Sequence, residues 1–479
     1  MTIFVVLCWK LFITSRLVKR MSPLNAFTGG QEMPKGLMLT DLAIAGLLLI
    51  AAKVIRVHMP LLQRMYIPSA VLAGLFGLIF GPALLNVLPW TDTFTANASL
   101  LTAALFSALG LATDVPSPKV VAQRAGSLWA FNQIASVSQW LFAAMFGLVL
   151  TTFFWPDINP GFGVTMSAGF MGGHGSASVV GEIFTGLGWE DGFTLGLTFA
   201  TVGIFISISV GMLMLQFALK MGWIRSFTTF DSMDEHERKG LVKPDDQEPV
   251  MKDTMSSLSV DSFAIHAALV VVVTAFSYVA ANYLSSFHDK VQIPTFVTGF
   301  LGGMLVRIIA KQTKASHYLC DGAFKHAAGI STDYLIIFGI SAIKITVLAQ
   351  YLMPMVVLAI GGIAFTLWLI FWVAPRIMGD DWFEKGIFSW GWLTGTVAMG
   401  IALLRIVDPK MRSKVLDDYA IAYVPGSITD IFIISLMPIA MYNGMHWQAL
   451  GVGLTYIAVV LFIWRFVFKR SGQAVANES

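Results

Sequence analysis

Two Gly-rich, polar interruptions stand inside otherwise apolar sequence: Ser167-Ala168-Gly169-Phe170-Met171-Gly172-Gly173-His174-Gly175-Ser176-Ala177-Ser178 and Ser389-Trp390-Gly391-Trp392-Leu393-Thr394-Gly395-Thr396. Lipid cannot hydrogen-bond a bare backbone, so non-helical chain persists at membrane depth only where protein buries it or water reaches it. A matched pair of such interruptions in two halves indicates a transporter's binding site. We therefore predict re-entrant hairpins at about 161–184 and 386–404. The alternative is a pair of Gly-rich helices that pack closely on their neighbours.

The composition is that of an integral membrane protein. The 479 residues are 56% hydrophobic and 12% charged, with a mean hydropathy of +0.73, whereas soluble domains carry about a quarter charged residues. A net charge of +3 gives no reason to expect a nucleic-acid partner. The two cysteines, Cys8 and Cys320, lie far apart in sequence, so neither a disulfide framework nor a Cys-based transition-metal site is predicted.

The apolar segments predict an all-α polytopic membrane protein, since each span needs about 20 apolar residues. It is an inverted repeat of two five-span halves, each with a re-entrant hairpin, plus one extra C-terminal span. The predicted spans are about 37–57, 67–88, 97–113, 126–153 and 192–219, then 259–284, 292–310, 328–348, 353–374, 418–440 and the extra 447–468. The predicted segments are a disordered or mis-started tail (1–36), the first half (37–219), a polar linker (220–258), the second half (259–440) and the extra span with its tail (441–479).

The distribution of Lys and Arg predicts the orientation, because cytoplasmic connections are rich in both. Basic residues cluster in the connections that follow the first, third and seventh spans and the second hairpin: Lys53, Arg56 and Arg64; Lys119 and Arg124; Lys311, Lys314 and Lys325; Arg405, Lys410, Arg412 and Lys414. The connections beside the first hairpin lack Lys and Arg. The first hairpin is therefore predicted to open outward and the second inward, with the 220–258 linker in the cytoplasm.

A short motif recurs at the same place in both halves. Tyr66-Ile67-Pro68-Ser69-Ala70-Val71 opens the second span, and Gln292-Ile293-Pro294-Thr295-Phe296-Val297 opens its counterpart. Nine residues after each Pro stands a glycine, Gly77 or Gly303. Proline is tolerated at a helix start because its missing N–H would be unpaired there anyway. The recurrence favours an inverted repeat, the architecture of many secondary transporters.

These residues resemble the bacterial sodium/glutamate symporter family over about 37–440. The resemblance is carried by Tyr66-Ile67-Pro68, Gly172-Gly173-His174-Gly175-Ser176, the 292–297 motif and the Asp430-Ile431 pair. It implies Na⁺-coupled glutamate uptake with Na⁺ as the coupling ion, no other cofactor, a homodimer in the bacterial cytoplasmic membrane and elevator-type movement. Trp390, Trp392 and the extra span depart from the family pattern. Three alternatives remain: transport of another organic anion (a dicarboxylate or hydroxycarboxylate), coupling to H⁺ instead of Na⁺, and an ion channel. The sequence contains no arrangement of catalytic residues that would indicate an enzyme.

The interruptions supply the candidate site. Glycines permit close backbone approach, and freed amides can hold a carboxylate as a helix N-terminus does. Hard cations prefer several oxygen ligands. We predict substrate binding by Gly172, Gly173, His174, Gly175, Ser176, Thr394, Gly395, Thr396 and Lys344, and sodium binding by Ser176, Ser178, Thr396 and Asp430.

Two of these residues have structural alternatives. A single histidine such as His174 is often a satisfied structural group. Lys344 is predicted to lie inside an apolar span, where an ammonium needs a partner. It would neutralise a substrate carboxylate, pair with Asp430 or Asp333, or reach the membrane interface.

Overall fold

All regular secondary structure is helical in the part of the chain that the computed structural model describes, residues 38–91, 94, 96–113, 121, 125–224, 234–247, 249–256, 258–285, 295–379, 381–408 and 413–468. The predicted tail (1–36) and Gln292-Ile293-Pro294 lie outside the described residues, as do four basic residues used for the orientation: Lys119, Arg124, Lys410 and Arg412.

Among its described residues, the first half contains six main helices: α1 (Met38–His58), α2 (Ser69–Phe80), α3 (Ala96–Ala112), α4 (Gly126–Phe153), α5 (Phe162–Gly186) and α6 (Asp191–Lys220). The second half contains α7 (Ser262–Ser285), α8 (Thr295–Gln312), α9 (Asp321–Ser341), α10 (Ile345–Met378), α11 (Trp382–Thr394), α12 (Val397–Val407) and α13 (Val415–Tyr442), followed by α14 (His446–Phe468). A π-helical turn at Leu369–Val373 interrupts α10. Two short helices, Pro60–Arg64 and Glu235–Lys239, lie in connections.

Six helices of the described chain are long and apolar enough to cross a membrane: α4, α6, α7, α10, the Ile421–Tyr442 part of α13, and α14. Shorter apolar helices include α2 and α12. This confirms the prediction of an all-α, multi-pass membrane protein. Four predicted bounds were wrong: α2 ends at Phe80, α9 begins at Asp321 and ends at Ser341, and α10 begins at Ile345. Apolar composition continues through the connections after α2 and α9, and the first turns of α9 are polar, so hydropathy alone misplaced these ends.

The helices form two groups in space. α1, α2 and α3 pack with α7, α8 and α9, and this set is called the first helix group; α4, α5, α6 and α10–α13 pack together as the second helix group. If the helices of the two halves are matched in chain order, several contacts between the halves occur twice, once with each partner taken from the other half. The matching contacts are α2–α9 and α3–α8, α1–α9 and α3–α7, α4–α13 and α6–α10, and α5–α13 and α6–α11.

The two repeat-motif glycines allow equivalent close helix contacts. A Cβ added to Gly77 of α2 would lie 1.9 Å from Ser341 Oγ of α9. A Cβ added to Gly303 of α8 would lie 2.6 Å from the Ser107 carbonyl oxygen of α3. Both contacts therefore need a residue without a side chain.

The polar connection between the halves is attached to the end of α1. Lys53 Nζ donates to the Gly240 carbonyl oxygen (2.6 Å), and Arg56 Nη1 donates to that of Lys239 (3.1 Å). Cations at the C-terminal end of the short 235–239 helix satisfy its free carbonyl groups. Within the same segment, a hydrogen bond from Lys243 lowers the pKa of Asp234 below its ordinary value.

Candidate functional site

The first interruption breaks α5 at Gly173, whose φ of +58° and ψ of −152° are non-helical. A straight 25-residue helix would be about 37 Å long. Instead, a Cβ added to Gly161, just before α5, would lie 2.6 Å from Phe184 Cε1, close to the end of α5. The two arms of α5 therefore lie side by side, and the chain turns back at residues 172–176, which we call the first tip.

The second interruption separates α11 from α12 at Gly395 and Thr396; Gly395 is non-helical, with φ of −151° and ψ of −99°, and Thr396 is extended. The two helices also lie against each other, because a Cβ added to Gly391 would lie 2.3 Å from the Cα atom of Gly400. Residues 394–396 are called the second tip.

The two tips meet inside the helical bundle. A Cβ added to Gly173 would lie 3.3 Å from Thr396 Cγ2 and 3.5 Å from the Gly395 carbonyl oxygen. Both tips lie against the same part of α6: His174 Nε2 is 3.1 Å from Thr201 Oγ1, and a Cβ on Gly203 would lie 2.5 Å from the Thr394 carbonyl oxygen. Thr201 is the eleventh residue of the 30-residue α6, about 15 Å along its axis.

Two buried polar atoms without a protein partner lie in the first tip and just after it. His174 Nδ1 and Ser178 Oγ are buried without a hydrogen-bond partner, and Ser176 is also buried. Gly172 is exposed although its neighbours are buried. Buried polar atoms are nearly always paired, so these orphaned groups are suited to a ligand or ordered water.

The second tip is held by hydrogen bonds from α4 and α6. Gln139 Nε2 donates to the Leu393 carbonyl oxygen (2.9 Å), and Ser207 Oγ donates to that of Gly391 (3.2 Å). Thr394 Oγ1 donates within its own helix to the Trp390 carbonyl oxygen (2.7 Å). Thr396 is half-buried at the start of α12.

The two tryptophans near the second tip are buried within the protein. Trp390 is fully buried, and its Nε1 donates to the Ser207 carbonyl oxygen at 2.9 Å. The Trp392 ring lies 6.4 Å from that of Tyr419 on α13. Trp390 thus packs against α6, and its bulk fills the space between helices.

The prediction that Lys344 lies inside an apolar span is wrong. Lys344 lies in the connection between α9 and α10, where its Nζ forms an exposed ion pair with Glu190 Oε2 at 3.1 Å. The α9 helix ends at Ser341, so the following residues that extend its apolar pattern form a loop at the end of the bundle. Lys344 therefore pairs with Glu190, and not with Asp430 or Asp333, the partners considered from the sequence.

Asp430 lies where α13 crosses α4. Its Oδ1 accepts a hydrogen bond from Ser136 Oγ at 3.0 Å. The approach of Gly173 to Thr396 brings the two tips together. The hydrogen bond from Ser136 places Asp430 beside α4.

The sequence interpretation missed the polar residues that hold the tips, namely Thr201, Ser207 and Gln139. Each stands in an apolar helix, and a polar residue inside a membrane helix is a sequence signal of function or helix contact. Among the described residues, no cluster of three or more His, Cys, Asp or Glu side chains could hold a metal ion.

An all-α bundle with several membrane-crossing helices and two mutually contacting interruptions is the architecture of a polytopic membrane transporter. The family profile described as sodium/glutamate symporter matches residues 37–405, and the chain belongs to this family. The match includes both tips and ends within α12, so α13 and α14 lie beyond it. Comparison with curated proteins finds none that matches.

Proposed function

We propose that the protein takes up glutamate, or a closely related acidic amino acid, together with Na⁺ across the bacterial cytoplasmic membrane. The family to which the chain belongs is one of sodium/glutamate symporters. The observation that carries the proposal is the contact between Gly173 and the second tip, which brings two interruptions of the backbone to one place.

We infer that both tips are re-entrant and meet near the middle of the bilayer. The tips lie opposite Thr201 and Gly203 of α6, about 15 Å along that helix. A hydrocarbon core is about 30 Å thick, so this depth is close to halfway. The contact of Gly161 with Phe184 supports the return of the first hairpin to the side from which it entered.

The substrate is proposed to bind through the amides of the tips. The second arm of α5 and α12 both begin at a tip, and a helix N-terminus offers unpaired N–H groups and a positive dipole end to a carboxylate. Gly172, Gly173, Gly175 and Gly395 give the substrate access to the backbone, and His174, Ser176, Thr394 and Thr396 supply side-chain hydrogen bonds. Lys344, paired with Glu190 at the end of the bundle, has no part in this site.

Na⁺ is proposed to bind oxygen atoms beside the substrate. Ser176, Ser178 and Thr396 are the hydroxyl candidates at the tips, and the unpaired Ser178 Oγ supports this assignment. Asp430 supplies a carboxylate from α13. Sodium is a hard cation that needs several oxygens, and its binding beside the substrate couples the two.

The halves are proposed to form an inverted repeat that works as an elevator. The exchanged helix contacts support the repeat. The second helix group, which contains the tips, would slide as the mobile core along the first helix group as the scaffold. Their interface is apolar beside the first tip, where a Cβ on Gly175 would lie 3.4 Å from Leu105 Cδ2 and 4.0 Å from Leu335 Cδ2.

The remaining assignments follow from this plan. The segments 37–219 and 259–440 are the two transporter halves, the 220–258 linker is cytoplasmic, and the scaffold forms a homodimer. Lys53 and Arg56, which bind the linker, support an inside position for that end of α1, because cytoplasmic connections are rich in Lys and Arg.

Uptake into proteoliposomes tests the proposal. An inward Na⁺ gradient should drive accumulation of glutamate, with no accumulation under an equal K⁺ gradient. Aspartate, dicarboxylates and hydroxycarboxylates are compared as competitors, and an H⁺ gradient without Na⁺ tests the coupling ion. Accumulation of a dicarboxylate but not of glutamate would contradict the substrate assignment, and single-channel currents in planar bilayers would contradict transport by alternating access.

A further inference from the structure

The C-terminal helix α14 lies beyond the family match and packs along α4. A Cβ added to Gly453 would lie 2.7 Å from Leu141 Cδ1, and the Phe468 and Trp129 rings meet edge-on with centroids 5.6 Å apart. Most of α14 is otherwise exposed. Tyr456 makes a polar contact between α14 and the bundle.

The Tyr456 hydroxyl joins α14 to both α4 and α13. It lies 2.7 Å from Gln133 Oε1 and 2.8 Å from Thr429 Oγ1. The Gln133 oxygen can only accept, so Tyr456 donates to it, and the Thr429 hydroxyl donates to Tyr456 in turn. One hydroxyl thus fixes a side chain on each of two other helices.

The residues that Tyr456 holds are the neighbours of the Asp430 carboxylate. Thr429 precedes Asp430 on α13, and Gln133 lies one turn before Ser136, which donates to Asp430 Oδ1 at 3.0 Å. The helices are in close contact here, because a Cβ added to Gly426 would lie 2.6 Å from Gln133 Nε2. The same helix crossing therefore carries Asp430 and the contacts of Tyr456.

The α13 helix carries a proline on each side of Asp430. Pro425 and Pro438 both lie inside α13, and each removes a backbone hydrogen bond and favours a kink. Thr429 and Asp430 lie between them. A contact from a third helix would restrain this segment against α4.

We propose that Tyr456 is a positioning residue for a cation site at Asp430, and that α14 thereby sets the affinity for Na⁺. The inference rests on the proposed function, in which Asp430 is a sodium ligand. Tyr456 holds Thr429 and Gln133 so that the carboxylate and the Ser136 hydroxyl are already in place when the ion arrives. Such preorganisation raises affinity because less freedom is lost on binding.

The test is the Na⁺ dependence of glutamate uptake by Tyr456→Phe, which loses only the hydroxyl. The half-saturating Na⁺ concentration should rise at least about two- to tenfold, the range expected for one net hydrogen bond, because the lost hydroxyl bonds both Gln133 and Thr429. The half-saturating glutamate concentration, measured at saturating Na⁺, and the maximal rate should change less than twofold. Thr455→Ala is the matched control on α14, because the Thr455 hydroxyl bonds only its own helix, at Gly451, and is exposed.

A second pair of variants gives an independent readout. Thr429→Val should raise the half-saturating Na⁺ concentration, and Thr429→Ser should restore it. Adding Thr429→Val to Tyr456→Phe should change little, since Tyr456→Phe already removes the hydrogen bond between Thr429 and Tyr456. Thr429→Val and Thr429→Ser also test the role of this contact in Na⁺ affinity if Tyr456→Phe does not fold.

Two results would overturn the assignment. One is an unchanged Na⁺ dependence in folded Tyr456→Phe and Thr429→Val. The other is an equal rise for Na⁺ and glutamate, which indicates general loosening of the bundle. Wild-type uptake is measured first, because a wild-type protein that takes up glutamate without Na⁺ refutes the proposed symport itself.

Discussion

Replacing Gly173 with alanine tests the first tip directly. With φ at +58° and ψ at −152°, Gly173 lies in a region of backbone conformation that is essentially restricted to glycine, and other residues pay about 1–3 kcal/mol there. The new methyl group would also meet Thr396 Cγ2 at 3.3 Å, so the second tip must give way slightly. Since 1.4 kcal/mol corresponds to about a factor of ten, we expect this strain to lower glutamate uptake about 5- to 150-fold.

The assay is initial Na⁺-driven glutamate uptake in proteoliposomes, normalised to the amount of inserted protein. Gly175→Ala is the geometric comparison, because its methyl group would meet Leu105 Cδ2 at an ordinary 3.4 Å and its φ is not positive; a smaller loss is expected. Gly329→Ala on α9 is the control, since nothing lies within 4 Å of its added Cβ. Wild-type uptake by folded Gly173→Ala would refute the role of the first tip.

Three further predictions follow from the contacts of single residues. Lys344→Ala should leave the half-saturating glutamate concentration within about twofold of wild type, because an exposed ion pair contributes only about 0–1 kcal/mol. A complete loss of glutamate recognition would show that Lys344 does bind the substrate. Gln139→Leu removes the buried donor to the Leu393 carbonyl oxygen, and an unsatisfied buried acceptor costs about 1–3 kcal/mol, so uptake should fall while membrane insertion persists. Unchanged uptake would show that Gln139 does not hold the second tip. Gly303→Val should lower the melting temperature of the detergent-solubilised protein, because its Cβ would lie 2.6 Å from the Ser107 carbonyl oxygen, whereas an unshifted melting temperature would contradict the close packing of α8 on α3.

Much of the helical framework could be predicted from the sequence because the bilayer imposes strong constraints on it. The span predicted at 126–153 coincides with α4, and those at 192–219 and 447–468 agree with α6 and α14 within a residue. The breaks at Gly173 and Gly395 fall inside the predicted interruptions. The ends of α9 and α10 could not be predicted, since the connection around Lys344 is as apolar as the helices that it joins.

The sequence by itself determined that the chain is an apolar, all-helical membrane protein with one glycine-rich break in each half, because lipid rejects charged side chains and unpaired backbone at any position. Only the tertiary structure decided which groups meet. Gly173 lies beside Thr396, Gln139 bonds to Leu393, and Ser136 bonds to Asp430. These partners lie more than 200 residues apart in sequence, and their contacts depend on how complementary helix surfaces pack, which hydrophobic patterning along a single segment does not specify.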